Sequence, residues 1–144
     1  MTNSTYRDQA YAAFKSGAYE EALHLWRRAL IQAGEDRIHR AALLSNIGIA
    51  SLKLGRAEDA SHAFEQAISQ YEPDECHCSL GKAYMGLGRC YTELGNIEQA
   101  ISSTEQAAAI FTRLDDTETL EMVQHNLSEL ARLQSNTVGQ SVSC

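Results

Sequence analysis

The residues best suited to chemistry lie near the middle of the chain, where Cys76, His77 and Cys78 are consecutive and Cys90 follows. Thiolates and imidazoles bind zinc well, but a zinc site needs four ligands that converge on one ion. Successive residues of a helix point about 100° apart, so three neighbours cannot readily reach the same ion. Cys90 lies about 20 Å further along the same predicted helix. We therefore expect buried or half-buried cysteines, with no bound metal or other cofactor.

None of the other titratable residues forms a recognised catalytic pattern. The five histidines are scattered, with no HExxH segment that would place two of them on one helical face. The segment Gly86-Leu87-Gly88 lies within a helical pattern, whereas a phosphate-binding glycine loop follows a strand. We therefore predict that the protein is not an enzyme.

Composition narrows the possible partners and compartments. The net charge is −7, which disfavours nucleic acid as a partner because phosphates require a basic surface. Residues 1–8 are too polar for a signal peptide, and no apolar run approaches the roughly 20 residues of a membrane span. The four cysteines do not resemble a secreted disulfide framework. These features predict a cytoplasmic protein that does not insert into membranes.

An internal repeat is the most informative pattern in the sequence. Residues 14–22 (FKSGAYEEA) recur as 52–60 (LKLGRAEDA) and again as 92–100 (TELGNIEQA). The equivalent glycines are Gly17, Gly55 and Gly95, spaced 38 and 40 residues apart. A second alanine follows the first after seven residues in every copy, and between the two alanines lie Trp26, Phe64 and Thr104. The chain therefore consists of three related units.

Each repeated residue type has a structural reason. A glycine between two helical patterns ends the first helix, because it tolerates the left-handed backbone conformation. Alanines seven residues apart share one helical face and let two helices approach closely. The large Trp26 and Phe64 should fill the core beside that contact. These features predict helices at about 4–15, 19–33, 37–53, 57–71, 76–93, 97–114 and 117–134, the last with Asp116 or Thr117 as its cap.

The repeats resemble the tetratricopeptide repeat family over nearly the whole chain. The third unit carries the family pattern most fully, as Tyr84, Leu87-Gly88, Tyr91, Ala100 and Ala107. Family repeats usually have about 34 residues, so these longer spacings look more like rapsyn, the Leu-Gly-Asn spindle adaptors and kinesin light chains. The resemblance implies an all-α fold, a right-handed superhelical α-solenoid of three helical hairpins and a C-terminal capping helix. The expected domain covers residues 1–134, with repeats at about 3–36, 41–74 and 81–114, the capping helix at about 117–134 and a disordered polar tail at 135–144.

The resemblance also implies a concave groove, lined by the first helix of each hairpin, that binds a peptide or helix of another protein. The residues that we expect on this surface are Arg7, Tyr11, Lys15, Asn46, Ile49, Lys53, Lys82, Met85, Arg89, His125, Asn126 and Arg132. They include half of the 12 basic residues of the chain, while the second helices carry most of the acids. We therefore predict a non-catalytic adaptor or scaffold whose groove receives an acidic segment, with opposite charge steering association.

Three other readings of the groove are open. Family members that bind chaperone tails clamp a terminal carboxylate with five residues, which correspond here to Arg7, Tyr11, Asn46, Lys82 and Gly86. Asn46 and Lys82 match the clamp, Arg7 keeps its charge, and the other two positions depart from it. The protein could instead be a self-associating structural repeat, or a regulatory receptor for a short free peptide. The sequence identifies neither the partner nor the oligomeric state.

Overall fold

The computed structural model describes residues 2–142, with side-chain positions for residue 2 and for 4–136. Over residues 2–142 the chain forms seven α-helices and no strand, which confirms the predicted all-α repeat fold. The helices are α1 Asn3–Lys15, α2 Tyr19–Ile31, α3 Arg37–Lys53, α4 Ala57–Ser69, α5 Cys78–Glu93, α6 Ile97–Arg113 and α7 Thr117–Val142. In the same described range, no helix combines the length and apolarity that crossing a bilayer requires.

The chain divides into two compact units. The N-terminal unit, Met1–Glu75, contains α1 to α4, in which α2 packs against both α1 and α3, and α3 packs against α4. The C-terminal unit, Cys76–Cys144, contains α5 to α7, in which α6 packs against both neighbours. Each unit therefore contains a helical hairpin with a following helix packed on it.

The turn inside each hairpin has the same closing geometry. The repeated glycines all have positive φ, 85° at Gly17, 77° at Gly55 and 80° at Gly95. In the first turn the N–H of Gly17 donates to the carbonyl of Phe14 at 3.1 Å, and the N–H of Ala18 donates to that of Ala13 at 2.9 Å. This pair of bonds is the Schellman arrangement, which satisfies carbonyls at the end of a helix. The other two turns repeat it, so the repeated glycines end helices as predicted.

The turn between α6 and α7 uses the same two bonds without a glycine. The N–H of Asp115 donates to the carbonyl of Thr112 at 3.2 Å, and that of Asp116 donates to Phe111 at 3.0 Å. Asp115 has a φ of 55°, where Cβ crowds the following carbonyl, although aspartate tolerates this better than most residues. The sequence conceals this fourth equivalent turn because no glycine marks it.

Side-chain caps set the starts of the last hairpin and of α7. The N–H of Ser79 donates to Nδ1 of His77 at 3.1 Å, so α5 begins at Cys78 and not at residue 76 as expected. The N–H of Thr119 donates to Oδ1 of Asp116 at 3.1 Å, which confirms Asp116 as the cap of α7.

The last helix is longer than expected. It continues to Val142, past the predicted end at residue 134, so the structure has helix where residues 135–142 were expected to form a disordered tail. No proline interrupts this stretch, and each residue added to an existing helix gains one backbone hydrogen bond. Residues 143 and 144 of the expected tail lie outside the described residues.

In the second and third hairpins the two helices come close together at a glycine of the first helix that faces a larger residue of the second helix. In the second hairpin a Cβ added to Gly48 would lie 2.8 Å from the ring of Phe64, so the ring occupies the space that a side chain at 48 would need. In the third hairpin a Cβ added to Gly88 would lie 2.6 Å from Oγ1 of Thr104. Phe64 is 1% exposed and Thr104 4% exposed. Trp26, at the same repeat position of the first hairpin, is 3% exposed, which confirms it as a core residue.

Replacing Asp115 by glycine is expected to raise the free energy of unfolding by about 0.5–1 kcal/mol, because glycine adopts the left-handed conformation without Cβ crowding. Alanine should lower it, because alanine lacks the tolerance of aspartate for this conformation. Urea denaturation of the three proteins side by side measures the order. The free energy of unfolding should be highest with glycine, intermediate with aspartate and lowest with alanine. Any other order would mean that contacts of the side chain at residue 115, and not its backbone conformation, determine the stability of this turn.

Asp116 is expected to make stability depend on pH at the acid end. The hydrogen bonds from the side chain and backbone of Thr119 lower the pKa of its carboxyl group, and the charge of Lys82 lowers it further. A carboxyl group with a lowered folded pKa stabilises the protein fully above its unfolded pKa of about 4, and this stabilisation is lost as the pH falls through the folded value.

The variant Asp116→Asn keeps a capping side chain but cannot ionise. It should therefore lose less stability than the wild type as the pH falls below about 4. Unfolding by urea at a series of pH values between about 7 and 3 measures this difference. Parallel curves for the two proteins would contradict the assignment.

Candidate peptide-binding surfaces

The N-terminal unit exposes most of its predicted surface residues on α1 and α3. The exposed ones are Arg7, Tyr11, Lys15, Ile49 and Lys53, and Asn46 is half-buried. On α1 the structure brings two of them together, because Nζ of Lys15 lies 4.7 Å from the centroid of the Tyr11 ring. This cation–π contact holds an aromatic ring that is 55% exposed beside a positive charge.

In the C-terminal unit an open pocket of about 500 Å³ lies between α5 and α7, with Thr104 of α6 at its base. Three of the six residues predicted for this unit, Met85, Arg89 and Asn126, line it. The other three, Lys82, His125 and Arg132, are exposed on the same two helices outside the lining. The structure therefore brings half of the predicted residues of this unit into one concave site.

Both walls of the pocket combine apolar and polar side chains, with Asn126 and Glu129 among the α7 residues. Apolar residues outside the twelve predicted site residues also line it, namely Met122, Leu130 and Leu133. Met122 is 57% exposed and Leu133 is 40% exposed, so the apolar part of the α7 wall is open to solvent, although Asn126 and Glu129 interrupt it. Such exposed apolar surface with polar residues around it is typical of interaction sites.

The pocket results from two small residues of the third hairpin. Thr104 stands where the other hairpins have Trp26 and Phe64, and Gly88 stands opposite it. The Thr104 hydroxyl donates to the carbonyl of Ala100 at 2.7 Å, so it needs no further partner inside the pocket. The signal was present in the sequence, because threonine replaces an aromatic residue at a repeat position. It did not reveal that the vacated space is open to solvent.

The cations predicted for the binding surface of this unit differ in whether they form a salt bridge. Arg132 pairs with Glu129, one turn earlier on α7, at 2.5 Å, which offsets its charge locally although an exposed pair adds little stability. Arg89 is exposed, and among the described side chains it has no carboxylate within the 4.0 Å of a salt bridge. Arg89 is therefore the lining cation that can pair with an incoming carboxylate.

In the N-terminal unit the arginines near helix starts serve internal contacts. Arg56 pairs with Glu20 of α2, and Arg37 of α3 lies 3.8 Å from Glu75. Arg7 and Lys53, which were predicted for the binding surface, have no salt bridge among the described side chains. The cations on the outward faces of α1 and α3 thus differ from those that hold this unit together.

The cysteines and His77 contribute to packing and helix capping. Cys90 is fully buried, and Cys76 and Cys78 are half-buried. The thiol of Cys76 lies 3.8 Å from the carbonyl of Ile110, and His77 is the cap of α5. Within the described residues no three histidine, cysteine or carboxylate side chains are grouped so that they could hold a metal ion.

Solved structures of known proteins share this fold. The second TPR domain of human RPAP3, in complex with the HSP70 peptide SGPTIEEVD, is 25% identical with a TM-score of 0.70, and the match covers 88% of this chain and 92% of that one. The translocator chaperone SycD of Yersinia enterocolitica type III secretion is 14% identical with a TM-score of 0.77 over 92% and 85% of the two chains. The nearly identical TPR-like repeats assigned to kinesin light chain of Podosopora anserina are 21% identical with a TM-score of 0.76, over 88% and 64%.

Family models support the same assignment from the sequence. No curated protein matches this chain significantly. Two tetratricopeptide repeat models match it, one over residues 1–72 and the other over residues 46–117. Each match covers half of the chain, and the repeated glycines, alanines and hairpin turns lie within them. The chain therefore belongs to the tetratricopeptide repeat family.

Proposed function

We propose that this protein is a non-catalytic adaptor that binds acidic segments of another protein, on the exposed faces of α1 and α3 in the N-terminal unit and, separately, on those of α5 and α7 in the C-terminal unit. The tetratricopeptide repeat is a fold that serves protein interaction. The observation that carries the proposal is the open pocket of the C-terminal unit, which has exposed apolar side chains on α7 and Arg89, a cation with no salt bridge among the described side chains. A concave, largely apolar site with a few polar groups is the usual form of a binding site.

The distribution of charge supports an acidic partner. Cations without salt bridges among the described side chains are exposed on the first helices, at Arg7, Lys15, Lys53, Lys82 and Arg89. Acids occupy the first turns of the second helices, with Glu20 and Glu21 on α2 and Glu98 on α6. A negatively charged segment is therefore attracted to the first helices, within a range of about 10 Å at 0.1 M salt.

The complex of human RPAP3 supports an acidic ligand as well, because its peptide ends in Glu-Glu-Val-Asp. A clamp for a terminal carboxylate is not part of the proposal. Of the five clamp positions, Tyr11 does not match, and Gly86 has no side chain with which to bind a carboxylate. The acidic residues of the partner are instead expected along the segment.

The proposal includes a reducing compartment, the cytoplasm. Cys76 and Cys78 are free thiols in the structure. Free thiols persist where cellular reductants are abundant, whereas secreted proteins usually pair their cysteines.

A random peptide library displayed on phage, selected on the purified protein, tests the proposal. We expect the selected peptides to be enriched in aspartate and glutamate. The variant Lys53→Glu/Lys82→Glu/Arg89→Glu should bind them at least about tenfold more weakly at low salt, because attraction becomes repulsion. The matched control is Arg27→Glu/Arg28→Glu/Arg113→Glu, which makes the same charge change on exposed residues of α2 and α6.

The controls separate the alternatives. If both triple variants bind the peptides equally, the first helices are not the binding surface. If the library yields no peptide and the elution volume in size-exclusion chromatography depends on protein concentration, the self-associating module is correct. If short peptides bind tightly but without acidic enrichment, the protein is a peptide receptor of another specificity.

A further inference from the structure

We propose that the pocket between α5 and α7 receives an aromatic side chain of the partner segment, followed or preceded by a carboxylate that pairs with Arg89. This inference rests on the proposed function and names the chemistry that its C-terminal site recognises. Three independent features of the pocket carry it, namely its place in the repeat, its lining and its charges.

The place of the pocket in the repeat indicates an aromatic occupant. In the N-terminal unit Trp26 of α2 belongs to one buried cluster with Ala10 of α1 and Ile47 of α3. The corresponding three helices of the C-terminal unit are α5, α6 and α7, and there the position of the indole ring is held by Thr104. The pocket therefore occupies the space that the first hairpin fills with its own aromatic side chain.

The lining suits an aromatic ring that comes from outside. Two methionines line the pocket, Met85 on α5 and Met122 on α7. Methionine side chains adapt to irregular partners and make favourable contacts between sulfur and aromatic rings. Leu130 continues the apolar wall, and the Thr104 hydroxyl is already bonded to its own helix. A ring placed against Met85, Met122 and Leu130 meets apolar surface, which favours its transfer from water.

The charged residues of the pocket determine which residues are favoured beside the aromatic residue of the ligand. Arg89 lies on the lining and has no salt bridge among the described side chains, so a carboxylate beside the aromatic residue can pair with it. Glu93 follows one turn later on α5 and lines the far end of the pocket, where it repels a second carboxylate. The charge of Glu129 is offset by Arg132. The expected ligand therefore has its acidic residue on the Arg89 side and a neutral or basic residue near Glu93.

The first experiment uses the peptides selected from the random library, with the methionine methyl groups of the protein labelled with carbon-13. The chain has three methionines, and two of them, Met85 and Met122, line the pocket. Binding of a peptide with a phenylalanine, tyrosine or tryptophan should move both of these methyl signals upfield, because they would lie over the ring. The same peptide with its aromatic residue replaced by alanine serves as the control and should move neither signal.

The second experiment fills the pocket from within. Thr104→Phe introduces at this position the residue that faces glycine in the second hairpin, so it should fold and should weaken the aromatic peptides about tenfold or more. Ala109→Phe adds the same ring to an exposed position of α6 that does not line the pocket, and it should leave their affinity unchanged. Thermal unfolding of both variants checks that the fold is retained.

A matched pair of exposed residues tests the charges without touching the core. Arg89→Gln and Glu93→Gln each remove one charge from α5, one turn apart. We expect Arg89→Gln to weaken the aromatic acidic peptides about threefold to tenfold, and Glu93→Gln to strengthen them, because surface charges mainly alter association rates. The opposite signs would mean that the ligand is basic.

The outcomes distinguish this inference from the proposed function. Acidic peptides that bind without an aromatic residue, and equally to wild type and Thr104→Phe, would overturn the aromatic pocket and leave the adaptor proposal standing. A library that yields no peptide would overturn both. Methionine shifts that appear on raising the protein concentration alone would assign the pocket to a second copy of this chain and overturn the inference.

Discussion

The close approach of the two helices in each hairpin is the contact on which the rest of the structure depends. It requires that one helix carry no side chain, or a very small one, where the other inserts a large one. Gly48 against Phe64 and Gly81 against Phe111 both meet this requirement, because a single added Cβ would lie within 2.8 Å of a ring atom. Packing at native density leaves no room for that atom unless the helices separate. The turns, the cores and the pocket all follow from helices held at this short distance.

The turns keep the two helices of a hairpin close together because they reverse the direction of the chain within three residues. Each uses the same pair of backbone bonds around one residue in the left-handed conformation, a glycine in three cases and Asp115 in the fourth. The next residue then starts the following helix at a fixed angle, and at α7 Asp116 also caps it. Asp115 thus occupies a position where glycine would be less strained, while its neighbour provides the side chain that the next helix needs.

The same packing rule explains how a binding site arises in a fold without catalytic groups. Where a hairpin has a large residue opposite a small one, its interior is closed, as at Trp26 and Phe64. Where it has Thr104 opposite Gly88, the interior opens between α5 and α7 and exposes Met122 and Leu133. One repeat position can therefore serve either stability or recognition, depending on the size of its side chain. Charges on the outward faces then decide which segments approach the opening.

The sequence by itself determined the seven helices, the glycine turns, the Asp116 cap and the buried Trp26, because these depend on backbone preferences and on spacing along a helix. Only the tertiary structure decided which outward residues share a site. Met85, Arg89 and Asn126 line the pocket, whereas Lys82, His125 and Arg132 lie outside it, although all six fall on suitable faces of their helices. The helical register gives the direction of a side chain, but the opening depends on the small side chain of Thr104, and whether Arg89 has a salt bridge depends on where the carboxylates of the neighbouring helices lie. Both are properties of the packed helices, which no single helix contains.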